Sequence, residues 1–385
     1  MSILFEHARK LDARGIIDDF WMLVDGDRIV ATGSGDAAEE VTATTRVDLR
    51  GGWLVPGFID LHGHGGGGHS YDDGVGAIGA ALATHRAHGT TRSVISLVAN
   101  PLMSLRTSLT EIADIADVDP LVLGSHLEGP FLAKERSGAH NPEYLRVPSL
   151  YEIEELLEAS RGTLRQITVA PELPGALEMV DALVEAGVAV AVGHTEATFE
   201  QARVAFERGA RMLTHAFNAM PGIHHRAPGP VVAAFDDERV ILELVLDGIH
   251  VHPEVAAMAF AAAPGRVALV TDAMAAAGSH DGDYSLGSLT VSVRDGIARL
   301  RGTPTIAGST LTQDVALRVA IDRTGIDPVR AIDALTHTPA RVLGLGDRHG
   351  LLEPGYAADA VALDGEWRVV HVWAAGRPVF AAPRD

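Results

Sequence analysis

The chain has no cysteine among its 385 residues. That absence excludes disulfides, thiolate nucleophiles and thiolate zinc ligands, and leaves any metal to histidine, aspartate and glutamate. It also fits a reducing compartment. Lysine is almost missing as well, represented by Lys10 and Lys134 alone. Positive charge in general is short: 31 Lys and Arg stand against 51 Asp and Glu, a formal net charge of −20 at pH 7. Such a balance opposes long-range attraction to nucleic acid or anionic membranes, so a phosphorylated ligand would need a local cationic pocket. No apolar run approaches the roughly 18 residues of a membrane span. The segment Met1 to Lys10 carries charges in place of the apolar centre of a leader. These features predict a cytoplasmic protein that binds neither nucleic acid nor membrane.

What the chain does carry is a phased series of ligand-type side chains. The apolar run Pro120 to Ser125 reads as a buried strand, and Gly129-Pro130 ends it, which leaves Glu128 where strand becomes loop. A carboxylate buried there needs something cationic to meet it. Four other apolar runs end the same way: in His62-Gly63-His64, in Gly193-His194, in Thr214-His215 and in Thr271-Asp272. A single strand-end histidine is usually a hydrogen-bonded core residue. Five strand ends in phase point to a metal centre.

The length suits one large domain and a smaller one. Residues 1–55 alternate like strands, with a hairpin turn at Asp25-Gly26-Asp27. From Pro56 apolar runs alternate with helical stretches, at 75–88, after Asn100-Pro101 as cap and first position, after a Ser149/Glu152 capping box, and near 175–186. The runs at 58–60, 93–97, 120–125, 166–170, 188–192, 212–214, 240–245 and 267–271 make eight strands. Eight strand-helix units predict a (β/α)8 TIM-type barrel, whose sites lie at the C-terminal strand ends. Residues 289–300 look like an inserted hairpin, and helices near 309–322 and 329–337 precede C-terminal strands at 360–363, 368–373 and 378–380. The expected division is a barrel over 56–345, and a small β-sandwich from 1–55 with 346–385.

In extended backbone, residues i and i+2 point the same way, so His62 and His64 can face one ion. Imidazoles with carboxylates suit zinc or iron(II). Glu128, His194 and His215 would leave one coordination position open, as catalytic sites do. Asp272 is either a turn cap or a general base that manages a proton during attack on a carbonyl. His224-His225-Arg226 is the densest cationic cluster near these strands and suits a phosphate, or else is a solvated loop. Together the residues describe metal-assisted hydrolysis of an amide or related bond.

Phe58 to His64, with Leu352-Glu353-Pro354-Gly355 and Ala358-Asp359-Ala360, resembles the amidohydrolase superfamily. More closely, His126-Leu127-Glu128-Gly129-Pro130-Phe131, Gly138 to Pro142, Gly193-His194-Thr195, His215-Ala216-Phe217-Asn218-Ala219-Met220 and Ala307-Gly308-Ser309 resemble N-acetylglucosamine-6-phosphate deacetylases. The resemblance runs nearly end to end. It implies a barrel with a small sandwich, a homodimer, and removal of acetate from a phosphorylated amino sugar. It implies Glu128, His194 and His215 as the principal metal ligands, Asp272 as acid/base, and His140 as a group polarising the acetyl carbonyl. Ala139, His140, Asn218, Ala219, Arg226, Asp247 to His250, and Ile306, Ala307, Gly308 and Ser309 match substrate positions, with Arg226 and His250 reaching the phosphate partly across the dimer. Some members lack the His-x-His pair; this chain keeps it, so one or two divalent metals per subunit are allowed, the second sharing Glu128 and Asp272.

Two other classes compete. A dihydroorotase or hydantoinase usually bridges its metals with a carboxylated lysine at a strand end, where neither Lys10 nor Lys134 stands, and a nucleobase deaminase would have no use for a phosphate cluster. A retired, non-catalytic homologue would be expected to have lost ligands, and none is missing.

Overall fold

The computed structural model describes residues 2–383. Eight segments build a parallel barrel sheet: β1 (Phe58–Asp60), β2 (Thr90–Leu97), β3 (Val122–Glu128), β4 (Leu164–Val169), β5 (Ala189–Val192), β6 (Met212–Leu213), β7 (Ile241–Val245) and β8 (Val267–Val270). Their order in the sheet is their order in the chain. Past the ends of β8 and β1 the ring closes: Asp272 N–H donates to the His62 carbonyl at 2.8 Å, and His64 N–H to the Ala273 carbonyl at 2.7 Å. Strands covered on both faces lose the polar alternation, which is why β8 reads as a continuous apolar run and β7 as one interrupted by Glu243 alone. β2 starts three residues before the apolar stretch that announced it. Its first residues, Thr90, Thr91 and Arg92, are buried but polar, and each is hydrogen-bonded: Thr90 to Gln313, Thr91 to the Phe58 carbonyl, Arg92 to Asp359.

Helices follow the strands as expected, at Val75–Ala87, Leu102–Val118, Leu150–Ser160 and Ala176–Glu185. Two cap readings change. Asn100 does not cap Leu102–Val118; Pro101 holds the cap position, and the Asn100 amide donates instead to Asp72. Ser149 accepts from Glu152 N–H, but the Glu152 carboxylate turns to Arg146, so only half of the expected box forms. The insertion is a meander of three strands, Gly282–Leu286, Leu289–Arg294 and Ile297–Leu300. Its apolar side, with Leu286, Val291, Val293 and Ala298, packs on Met274, Ala275 and Ala307.

The chain divides into two compact units, residues 1–60 with 85–92 and 313–385, and residues 61–84 with 93–312. In the first, Ser2–Asp12 pairs with Gly15–Asp25 along one edge, and with Thr45–Asp48 and then Trp53–Pro56 along the other. Arg28–Ser34, beside Gly15–Asp25, and Ala360–Leu363, Val369–Ala374 and Arg377–Ala381 on the other side complete one eight-stranded sheet. Its core joins Phe5, Phe20, Met22 and Ile29 to Leu352 and Trp373, so the two ends of the sequence share one apolar interior. Lys10, buried in the first strand, pairs with Asp12 at 2.9 Å. Every candidate ligand of the metal lies in the second unit.

Candidate metal centre and cavity

Six donor side chains meet where the barrel strands end. His62 and His64 follow β1, Glu128 closes β3, His194 follows β5, His215 follows β6, and Asp272 follows β8. All six are buried. They form two sets whose ligand atoms lie within 4.8 Å of one another: His62, His64, Glu128 and Asp272, and Glu128, His194 and His215. Glu128 belongs to both. Its Oε1 lies 3.1 Å from His194 Nε2 and 3.0 Å from His215 Nε2, and its Oε2 lies 3.1 Å from His64 Nε2.

The proton placement shows that this set is built for a cation. His194 Nδ1 lies 2.7 Å from the Arg136 carbonyl oxygen, which can only accept, so the ring donates there. In the neutral ring Nε2 then carries a lone pair, yet it faces Glu128 Oε1 and, at 3.0 Å, His215 Nε2. His62 repeats the pattern: Nδ1 donates to Glu243 at 3.1 Å, and Nε2 faces His64 Nε2 at 3.1 Å. Lone pairs turned toward one another at that range repel unless extra protons or a metal ion intervene. Without a metal, protons take the role. Burial opposes a charged His64, but Asp272 and Glu128 outweigh it and push the pKa up to about 9. Burial also opposes an ionised Asp272, and His64 and His62 bring its pKa down to about 2. The donor types and their convergence therefore fit a divalent metal.

Backbone geometry marks the same positions. His194, His215 and Asp272 have φ of 45°, 27° and 46°, in the left-handed region that side chains other than glycine seldom enter. Each such residue costs on the order of 1–3 kcal/mol and persists where the surroundings impose it. Asp272 is held by its N–H to the His62 carbonyl and by the Ser309 N–H on its own carbonyl. The turn that lifts Asp272 away from its strand line is thus fixed by the segments on either side of it.

Beneath the donors lies a polar layer that the sequence did not announce as functional. Glu243, fully buried in β7, accepts from His62, from Gln166 at 2.6 Å and from the His215 N–H. A carboxylate inside the apolar run Val240 to Val245 was the available signal. His126 contacts Ser96 and Thr168, and Thr168 contacts Thr214. Burial and the neighbouring His62 keep His126 well below the usual histidine range, so it serves as a neutral spacer.

A cavity of about 400 Å³ opens over the centre. Of the expected substrate residues, Ala139, His140, Asn218, Ala219, His250, Ile306 and Gly308 line it. Asp247, Ala307 and Ser309 stand behind the wall. Asp247 holds His250 Nδ1 at 2.7 Å, and Ser309 donates to the Thr271 carbonyl at 2.6 Å. Ala307 is buried against the meander. Arg226 does not reach the cavity of its own chain; it is exposed, with Nη1 2.7 Å from His225 Nε2. Arg136, which the sequence did not single out, does line the wall. No helix among the described residues is long and apolar enough to cross a membrane.

The barrel and its rim of histidines and carboxylates define a class: hydrolases that work at a divalent metal. Residues 53–379 match the amidohydrolase family model. The chain belongs to the amidohydrolase family. Within it, the chain is 38% identical over 382 residues to the N-acetylgalactosamine-6-phosphate deacetylase of Escherichia coli O157:H7, covering 98% of this chain and 99% of that one. It is 35% identical to the human N-acetylglucosamine-6-phosphate deacetylase, covering 95% and 92%. Among solved structures, an N-acetyl-D-glucosamine-6-phosphate deacetylase mutant from Mycobacterium smegmatis, in complex with N-acetyl-D-glucosamine-6-phosphate, is 40% identical with a TM-score of 0.94, covering 99% and 100%.

Proposed function

We propose that this protein hydrolyses the acetamide of N-acetyl-D-glucosamine 6-phosphate, giving acetate and D-glucosamine 6-phosphate. The observation that carries the reading is the convergence of Glu128, His194, His215, Asp272 and His140 on one cavity. Glu128, His194 and His215 would hold a divalent ion, zinc by our reading and iron(II) as the alternative, which would supply the positive charge that polarises the acetyl carbonyl and acidifies water. His62, His64 and Asp272 offer a second position that shares Glu128.

The chain's own residues do the rest. Asp272 is ionised at neutral pH and lines the cavity, so it takes a proton from the attacking water and returns it to the departing amine. His140 accepts from the Ala99 N–H at Nδ1, 3.2 Å away, which places its own proton on Nε2. That N–H lies 3.3 Å from Glu128 Oε2 and is the donor available to the acetyl oxygen. Asn218, Ala219, Ile306 and Gly308 border the sugar, and Val98 and Leu286 exclude water from part of the wall. In this reading the working enzyme is a cytoplasmic homodimer, with Arg226 contributed across the interface, and the catalytic barrel spans 56–345.

A second reading concerns the sugar alone: the Escherichia coli relative carries the name of the galactosamine epimer. An acetate-release assay decides between them. We expect turnover of N-acetylglucosamine 6-phosphate to exceed that of N-acetylgalactosamine 6-phosphate, and both to exceed that of unphosphorylated N-acetylglucosamine. Preference for the galactosamine epimer would select the second reading, and release from neither phosphate would end both.

A further inference from the structure

We infer that Arg136 is a specificity-determining residue that binds the substrate's phosphate from within the same chain, an assignment that rests on the sugar-phosphate reading above. Among the described residues lining the cavity, it is the one arginine or lysine. A protein with a net charge of −20 gains nothing from its overall field when it captures a dianion, so recognition depends on local cationic groups, and a guanidinium in the wall of the same chain is one of them.

The position of Arg136 is fixed by the metal centre itself. It ends the turn Lys134–Arg136, which is fastened to His194 from two sides. Ala133 N–H donates to the His194 carbonyl at 2.9 Å, and the His194 ring donates to the Arg136 carbonyl at 2.7 Å. Gly138, at φ +55°, then passes so close to the imidazole that an added Cβ would lie 3.0 Å from its Cε1. The main chain of Arg136 therefore sets the tautomer of a candidate metal ligand while its side chain reaches the solvent-facing wall, where it remains about one-third exposed. There its Nε donates to Glu196, a half-exposed carboxylate that holds the guanidinium in place until a stronger anion arrives. A phosphate offers more charge and more acceptor oxygens than Glu196 and can share the fork or displace it. His250, also in the wall and held by Asp247, supplies a second donor. By contrast, Arg226 of the same chain lies outside the cavity.

Arg136→Ala tests this because it removes the guanidinium and leaves the carbonyl that holds His194. Calorimetric titration with D-glucosamine 6-phosphate reads the contact whether or not the protein deacetylates anything. We expect binding about ten- to a hundredfold weaker in Arg136→Ala, with unchanged metal content. KM for the phosphorylated substrate should rise by a similar factor, and kcat/KM should fall further on phosphorylated than on unphosphorylated N-acetylglucosamine. Arg136→Lys should recover part of the loss, and Glu196→Gln should tighten phosphate binding. Unchanged binding of D-glucosamine 6-phosphate to Arg136→Ala would overturn the inference, as would an equal loss on phosphorylated and unphosphorylated sugars. If the wild-type protein binds the sugar phosphate through Arg136 yet releases no acetate, the deacetylase reading fails and this inference stands.

Discussion

Two buried carboxylates, one in each unit, show what separates a charge that stabilises from a charge that works. Asp359 receives Arg92 through two hydrogen bonds at 2.7 and 3.1 Å, and the Ala375 N–H at 2.7 Å. Burial opposes its ionisation, and His349, Arg92 and that N–H hold its carboxyl well below the usual range. The protein completes this pair by itself. Glu128 is buried as deeply but faces imidazoles, of which His194 directs its proton away toward Arg136. Its surroundings are complete only when a cation joins them. Buried charge that the fold satisfies belongs to stability; buried charge that the fold leaves open belongs to the ligand.

The largest expected effect comes from breaking the open side of that comparison. Glu128→Ala should lose bound metal and all measurable turnover while the folded protein persists, because the variant removes a carboxylate that the fold alone does not satisfy; elemental analysis and the acetate assay check this. Full metal content in Glu128→Ala would rule out its role as a ligand. Next, Asp272→Asn should lower kcat by about a hundredfold or more with substrate affinity nearly intact. Metal content has to be measured in the same sample, since Asp272 also borders the second donor set.

The closed side should fail differently. Asp359→Ala leaves Arg92 buried without its partner and should cost about 3–5 kcal/mol of stability. Its effect on kcat, measured well below the melting temperature, should be slight. The pH dependence has a definite sign. Because the folded state keeps the Asp359 proton off to a lower pH than the unfolded state does, the unfolded state binds more protons below about pH 4. The stabilisation is therefore complete above about pH 4 and drains away as pH falls further; denaturant titrations of wild type and Asp359→Asn should converge in acid. The smallest effect is expected from His62→Ala, which should remove at most a second metal and keep appreciable activity. Loss of all metal from His62→Ala would make the two donor sets one.

Much of this arrangement was legible in the chain. The apolar runs marked all eight barrel strands, and the residues ending five of them gave the six donors, because strands covered on both faces and buried ligand residues contrast sharply in composition. What escaped had a physical reason in each case. Thr90 to Arg92 hid the start of β2, since their polarity is satisfied by partners remote in sequence: Gln313 and Asp359, more than two hundred positions away, for Thr90 and Arg92, and the Phe58 carbonyl for Thr91. Arg136 drew no attention, because its place beside the centre is set by a main-chain carbonyl that meets His194 across 58 positions. Glu243 stood in plain view within an apolar strand, but only the folded barrel shows that it accepts from His62. Arg226 drew attention through its neighbours in sequence, yet one chain alone leaves it outside the cavity.

The most direct test of the account is metal removal. Protein stripped with a chelator and dialysed should release no acetate from N-acetylglucosamine 6-phosphate, and a stoichiometric addition of zinc or iron(II) should restore the rate in wild type but not in Glu128→Ala. Undiminished acetate release by protein shown to be metal-free would contradict it.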